Sequence, residues 1–169
     1  MPIAEDFPMP GPEETAVFIL KPRSAADELF EVATGAVRIP ASGRVELSLI
    51  DVSPHGVPEG TGQLAVSCQR GDVSRPRYDW TCRVSAPGGG IQLRNRLDFD
   101  LAPKSGYREA IVLGYRMEDS NWRDRVDEDV FVRLDDGNYG YLSIRIRTLG
   151  DYYVALRGVL NQHGSRLVD

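Results

Sequence analysis

Histidine is the side chain most often used as a general base near neutral pH. The chain has two, His55 and His163. His55 sits in a proline- and glycine-rich stretch and His163 in Asn161-Gln162-His163-Gly164. Neither has a nucleophile or an acid at triad or metal-ligand spacing, so both read as surface or turn residues. There is no nucleophile elbow, phosphate loop or dinucleotide fingerprint. The triplet Gly88-Gly89-Gly90 lacks the Gly-Lys-Ser/Thr ending and the following helix that phosphate binding needs, and reads as a loop between strands. The expectation is a chain without hydrolase activity and with no catalytic residue to name.

Acids are concentrated in Met117 to Asp129, where Glu118, Asp119, Asp124, Asp127, Glu128 and Asp129 fall within one segment. Calcium takes about six to eight oxygen ligands, often from such segments, which makes Asp124, Asp127 and Asp129 the calcium candidates. The spacing matches no EF-hand, and Arg123 and Arg125 interrupt the cluster. A solvated loop without a cofactor is the plainer reading. Two of these acids are also what a glycosidase needs, as any acid-rich loop would offer.

Trp122 lies in the middle of this polar segment, where an apolar core has no evident claim on it. An exposed indole stacks on sugar rings or anchors an interface; alternatively the ring folds back over the edge of the domain. Further along, Phe131, Arg133, Tyr141, Arg145, Arg147, Tyr153 and Arg157 alternate with Val130, Val132, Leu142, Ile144, Ile146, Val154 and Leu156. If these stretches pair as adjacent hairpins, arginines and tyrosines share one face. Facing arginines cost free energy unless an anion or an acid lies between them. Arg133, Tyr141, Arg145, Arg147, Tyr153 and Arg157, with Trp122, are therefore the candidate ligand-binding residues. Neutralising acids on neighbouring strands, or a covering subunit, are the alternatives.

The elements that must position these residues are strands. Apolar residues recur with period two at Arg44 to Ile50, Gln63 to Gln69, Tyr78 to Ser85, Ile91 to Phe99 and Tyr107 to Met117, and through the C-terminal third. Glu46 and Ser48 fall on the polar side of the first, and Ile91, Leu93, Leu97 and Phe99 share the apolar side of the fourth. Asp136-Gly137-Asn138 and Leu149-Gly150-Asp151 supply turns for a three-stranded meander. Nine to eleven short strands with one wet face predict an all-β fold, an antiparallel two-sheet sandwich of jelly-roll or immunoglobulin-like kind. Ser24 to Ala33 has a cap-like serine and trailing acids and allows one short helix, while Val32 and Thr34-Gly35 allow a strand instead. Residues 1–14 read as a flexible proline-rich lead-in and 15–169 as one sandwich domain.

Cys68 and Cys82 lie in two of these stretches with a polar turn between them, a layout that places them opposite each other across a hairpin. A disulfide is expected, with two buried free thiols as the alternative; without a nearby histidine they cannot form a tetrahedral zinc site. Among 169 residues with net charge −5, the cations are Lys21, Lys104 and eighteen arginines. Negative net charge argues against nucleic acid as a partner, and no apolar run reaches the ~18 residues of a membrane span. Met1 to Thr15 has neither the basic start nor the apolar run of a signal peptide.

From Phe99 to Arg166 the chain resembles the closing part of β-sandwich modules of exported bacterial polysaccharide-processing proteins. Ser105-Gly106-Tyr107, Asn121-Trp122, Val130-Phe131-Val132-Arg133, Tyr139-Gly140-Tyr141-Leu142, Leu160-Asn161 and Gly164-Ser165-Arg166 carry the likeness. It implies a sandwich fold and an extracytoplasmic location, periplasmic or secreted, and transfers no catalytic motif. The leading functional expectation is a non-catalytic module binding a glycan or a protein. A structural accessory domain that packs on a larger protein or on itself is the second, and a carboxylate- or metal-dependent hydrolase the third.

Overall fold

A computed structural model of the chain describes residues 28–40, 43–50, 56–58, 60–95 and 101–168. These residues form ten strands and no helix, so none is long and apolar enough to cross a membrane. The strands are β1 (Leu29–Ala33), β2 (Val37–Arg38), β3 (Arg44–Leu47), β4 (Leu64–Arg70), β5 (Trp80–Ser85), β6 (Gly90–Leu93), β7 (Ala110–Tyr115), β8 (Arg125–Arg133), β9 (Tyr139–Arg147) and β10 (Tyr153–Asn161). They make two antiparallel sheets. The first, sheet A, runs β1-β10-β9-β8-β6 with β2 also on β10; the second, sheet B, runs β3-β4-β5-β7. The sheets are not closed into a barrel, and the fold is an all-β sandwich.

Period-two alternation explains the core. Val126, Val130 and Val132, then Leu142, Ile144 and Ile146, then Val154, Leu156 and Leu160 turn one side of sheet A inward. Leu64, Val66, Trp80, Val84, Ile111 and Leu113 answer from sheet B. Burying each aliphatic side chain of this kind contributes about 1.5–3 kcal/mol. Cys68 and Cys82 are direct cross-strand partners on the inner side of β4 and β5 and are joined by a disulfide. The bond from Gly71 N to Asp79 O puts that pair in a hydrogen-bonded position. Alternation then makes Cys68 and Cys82 a non-hydrogen-bonded pair, where side chains come closest.

The meander register is set by its turns. At the β8–β9 hairpin, Leu134 N donates to Asn138 O at 2.8 Å, Asp136 accepts from Asn138 N at 2.9 Å, and Gly137 takes a φ of 86° that suits glycine. Leu29–Ala33, open to either helix or strand by sequence, is a strand because β10 offers it an edge; residues 24–27 lie outside the described set. The ladder is carried past its break by Thr34, whose N donates to Leu156 O and whose Oγ1 accepts from Leu156 N.

Three details correct the reading from period alone. The acid-rich loop ends early: β8 begins at Arg125, so Asp127, Glu128 and Asp129 lie in a strand. On the fourth stretch the strand stops at Leu93, which is exposed although Ile91 is buried; residues 96–100 lie outside the described set. Glu46 and Ser48 are buried, Glu46 because residues 56–58 and 60–62 lie over the outward side of β3. Gly62 permits that approach, since a Cβ there would stand 2.8 Å from the Glu46 Cβ.

Candidate functional site

Odd-numbered residues of β8, β9 and β10 all face away from the core, and the observed registers arrange them in rows across sheet A. Arg125, Arg147, Tyr153 and Arg38 form one row, Asp127, Arg145 and Ala155 the next, and Asp129, Ser143 and Arg157 the third. Phe131, Tyr141 and Val159 follow, then Arg133, Tyr139 and Asn161. The five sequence-derived candidates on β9 and β10, and Arg133 on β8, thus share one face.

That face is divided. Over its fourth and fifth rows lie the segment 101–107 and the chain end 166–168, fastened by Ala102 N donating to Arg166 O and the Arg166 guanidinium donating to Ala102 O, both at 2.7 Å. Beneath them Phe131, Ala102 and Val168 form a second small core, edged by Tyr107, Tyr139, Tyr141 and Val159. Phe131 is therefore buried, although alternation alone leaves it wet. Tyr141 packs against Phe131 at 6.0 Å, and the Arg94 guanidinium lies 4.5 Å from the centre of its ring. Burial, and secondarily a hydrogen bond to Asp129, raise the Tyr141 hydroxyl above its usual range. Burial pushes the Tyr107 hydroxyl to about 12. Tyr141 is consequently a packing residue, and Arg133 stands apart at the far end of the face.

The other half is open. Arg125, Arg145, Arg147 and Arg157 are exposed there, with Tyr153 half-buried among them. The Arg145 Nε donates to the Asp127 carboxylate directly across the strand pair. Thr148 N donates to Asp124 O at 2.8 Å, continuing the β8–β9 ladder, so Asp124 and Thr148 form a hydrogen-bonded pair. Arg125 and Arg147, one step along, then form a non-hydrogen-bonded pair, where facing Cβ atoms come within about 4.5–5.5 Å. No carboxylate among the described residues lies within salt-bridge distance of either guanidinium. A cavity of about 470 Å³ opens here, lined by Asp124, Arg125, Asp127, Arg145 and Arg147. A second cavity, of about 330 Å³, is bordered by Arg38, Arg70, Asp151 and Tyr152, whose cations are engaged. Arg38 pairs with Asp151 at 2.9 Å, and Arg70 donates to Gly150 O at 2.7 Å and stacks over Tyr152.

Trp122 is not an anchor held out to solvent. Its indole N–H donates to Tyr78 O at 2.8 Å and its ring meets Tyr78 edge-on at 5.5 Å. Trp80 returns the tie, donating from its indole to Arg123 O at 2.8 Å. The two indoles fasten the 116–124 segment onto the sandwich edge. The three calcium candidates do not gather at one point either, although Asp124 and Asp127 line the same cavity. Asp124 enters the ladder through its carbonyl, Asp127 is paired with Arg145, and Asp129 lies beside Tyr141. Among the described residues no three His, Cys, Asp or Glu side chains come together to hold a metal. His163 occupies a turn in which its N–H donates to Asn161 Oδ1, and His55 lies outside the described residues.

Two residues escape a reading by sequence. Arg125 looks like an interruption in an acidic run, and only the β8–β9 register reveals Arg147 opposite it. Glu46 looks like a wet strand residue but is 4% exposed. Burial by itself would raise its carboxyl; the Arg44 guanidinium at 2.7 Å and the N–H groups of Gly62 and Gly60 outweigh that and hold it below its ordinary value. Its work is to pin Gly60 and Gly62. Comparisons with protein-family models, with curated proteins and with solved structures find no match for this chain.

Proposed function

We propose that the chain is a non-catalytic binding module that engages an anionic saccharide through the open half of the outer face of sheet A. The observation that carries this reading is the arginine cluster of β8 and β9, Arg125, Arg145 and Arg147, exposed around a cavity and only partly neutralised by Asp127. Guanidinium forks suit carboxylate and sulfate oxygens, and the adjacent Tyr153 offers a flat ring edge to a sugar. The Cys68–Cys82 disulfide supports a place for this module outside the cytoplasm, where such bonds persist.

Calorimetric titration of the chain with oligogalacturonate, with sulfated dextran and with neutral dextran tests the proposal. Binding to a charged saccharide, absent for neutral dextran and weakened by salt, is the expected result, because exposed charges are screened over about 8 Å at physiological ionic strength. Arg145→Ala with Arg147→Ala should remove binding and leave the melting temperature nearly unchanged. No binding of either charged saccharide at low salt refutes the reading, and so does undiminished binding by a folded double variant.

A further inference from the structure

We infer that Arg125 and Arg147 form the seat of one monoanionic oxyanion, a carboxylate or a sulfate ester, on the open half of sheet A. This deepens the binding-module reading and rests on it. The two side chains are direct cross-strand partners in a non-hydrogen-bonded position, the closest approach a sheet provides. Like charges so placed repel, and no carboxylate in the described structure is drawn up to either one. The neighbouring pair solves the same problem internally, with Asp127 standing opposite Arg145. An anion between Arg125 and Arg147 does for their row what Asp127 does for the next.

The charge of the cavity selects the ligand. Three arginines and two aspartates line it, a net of one positive charge. A carboxylate or a sulfate ester carries one negative charge and balances it. A phosphate monoester carries about −1.5 to −2 near pH 7 and would meet Asp124 and Asp127 with its excess. Each planar guanidinium fork can donate to two oxygens, and Tyr153, next to Arg147 in the row, borders the group that bears the anion.

The test is titration of the ¹⁵N-labelled chain with galacturonate, methyl sulfate, phosphate and galactose, following arginine Nε–H resonances. Saturable shifts of Arg125 and Arg147 with the two monoanions, and none at Arg133 or Arg157, are expected. The tighter of the two monoanions identifies the source of the oxyanion. Arg147→Gln should weaken binding at least tenfold, and Arg147→Lys should also weaken it, because charge is kept but the fork is lost. Equal, unsaturable shifts at every exposed arginine would mean general screening and overturn the seat, as would no shift at all. If oligogalacturonate binds Arg147→Gln as tightly as wild type, the seat is wrong while the binding-module reading stands. If monoanions seat at Arg125 and Arg147 but no saccharide binds, the seat stands and the saccharide reading falls.

Discussion

Replacing Glu46 tests whether a buried carboxylate holds Gly60 to Gly62 against sheet B. Three donors reach it: Gly60 N at 2.7 Å and Gly62 N at 3.1 Å onto Oε2, and the Arg44 guanidinium at 2.7 Å onto Oε1. Each backbone bond to a charged acceptor contributes about 1.5–3 kcal/mol. The Arg44 side chain is 48% exposed, so its ion pair adds only about 0–1 kcal/mol. The cost of taking the carboxylate out of water is recovered on deletion, which leaves a net loss of about 2–4 kcal/mol for Glu46→Ala. Urea unfolding at pH 7 measures it, and the midpoint should fall with little change of slope. The pH dependence has a definite sign. The folded-state carboxyl titrates below its ordinary 4.5, so between the two values the unfolded chain binds more protons and stability rises with pH. The contribution of Glu46 is fully present above 4.5 and is lost as pH falls through the lower folded value. Glu46→Gln lacks this titration, so wild type and variant should converge in acid. A Glu46→Ala loss under about 0.5 kcal/mol, or a wild-type-to-Gln gap that is the same at both ends of that window, refutes the reasoning.

Removing the disulfide by Cys68→Ala with Cys82→Ala should cost about 3 kcal/mol in the chain-entropy model, since the bridge closes a separation of 14 residues. Calorimetry should record a fall in Tm of about 6–12 °C, and two free thiols in non-reducing peptide maps of the oxidised protein would contradict the pairing. Trp122→Phe keeps a ring against Tyr78 but loses the indole bond to its carbonyl; the expected loss is about 1–2 kcal/mol with saccharide binding intact. Abolished binding in a folded Trp122→Phe variant would instead make that ring a ligand contact. Arg147→Gln should stabilise the ligand-free chain by about 0.2–1 kcal/mol at low salt, with the gain shrinking as salt rises. A loss of stability would mean that Arg147 has an internal carboxylate partner in solution.

Local pattern was enough to locate the strands and their inward faces. Leu142, Ile144 and Ile146 point inward whatever their neighbours are, because successive side chains in a strand alternate. Asp136-Gly137-Asn138 likewise encodes its own hairpin, and that hairpin brings the arginines of β8 and β9 to one face. Apart from the Cys68–Cys82 pairing, what depends on a covering segment or a distant partner was illegible. Phe131 and Tyr141 become core residues because 101–107 and 166–168 lie over them, and nothing near residue 131 announces it. Trp122 is tied down by a carbonyl 44 residues away, and Glu46 is buried by glycines 14 and 16 residues later. The pairing of Arg125 with Arg147 needed the strand to start inside an acidic run. Where a strand begins is decided by the partner it bonds with, here Thr148 N donating to Asp124 O. Side-chain alternation is a property of the chain itself. Which half of a face stays wet, and which charges meet across it, are properties of the packed sheets.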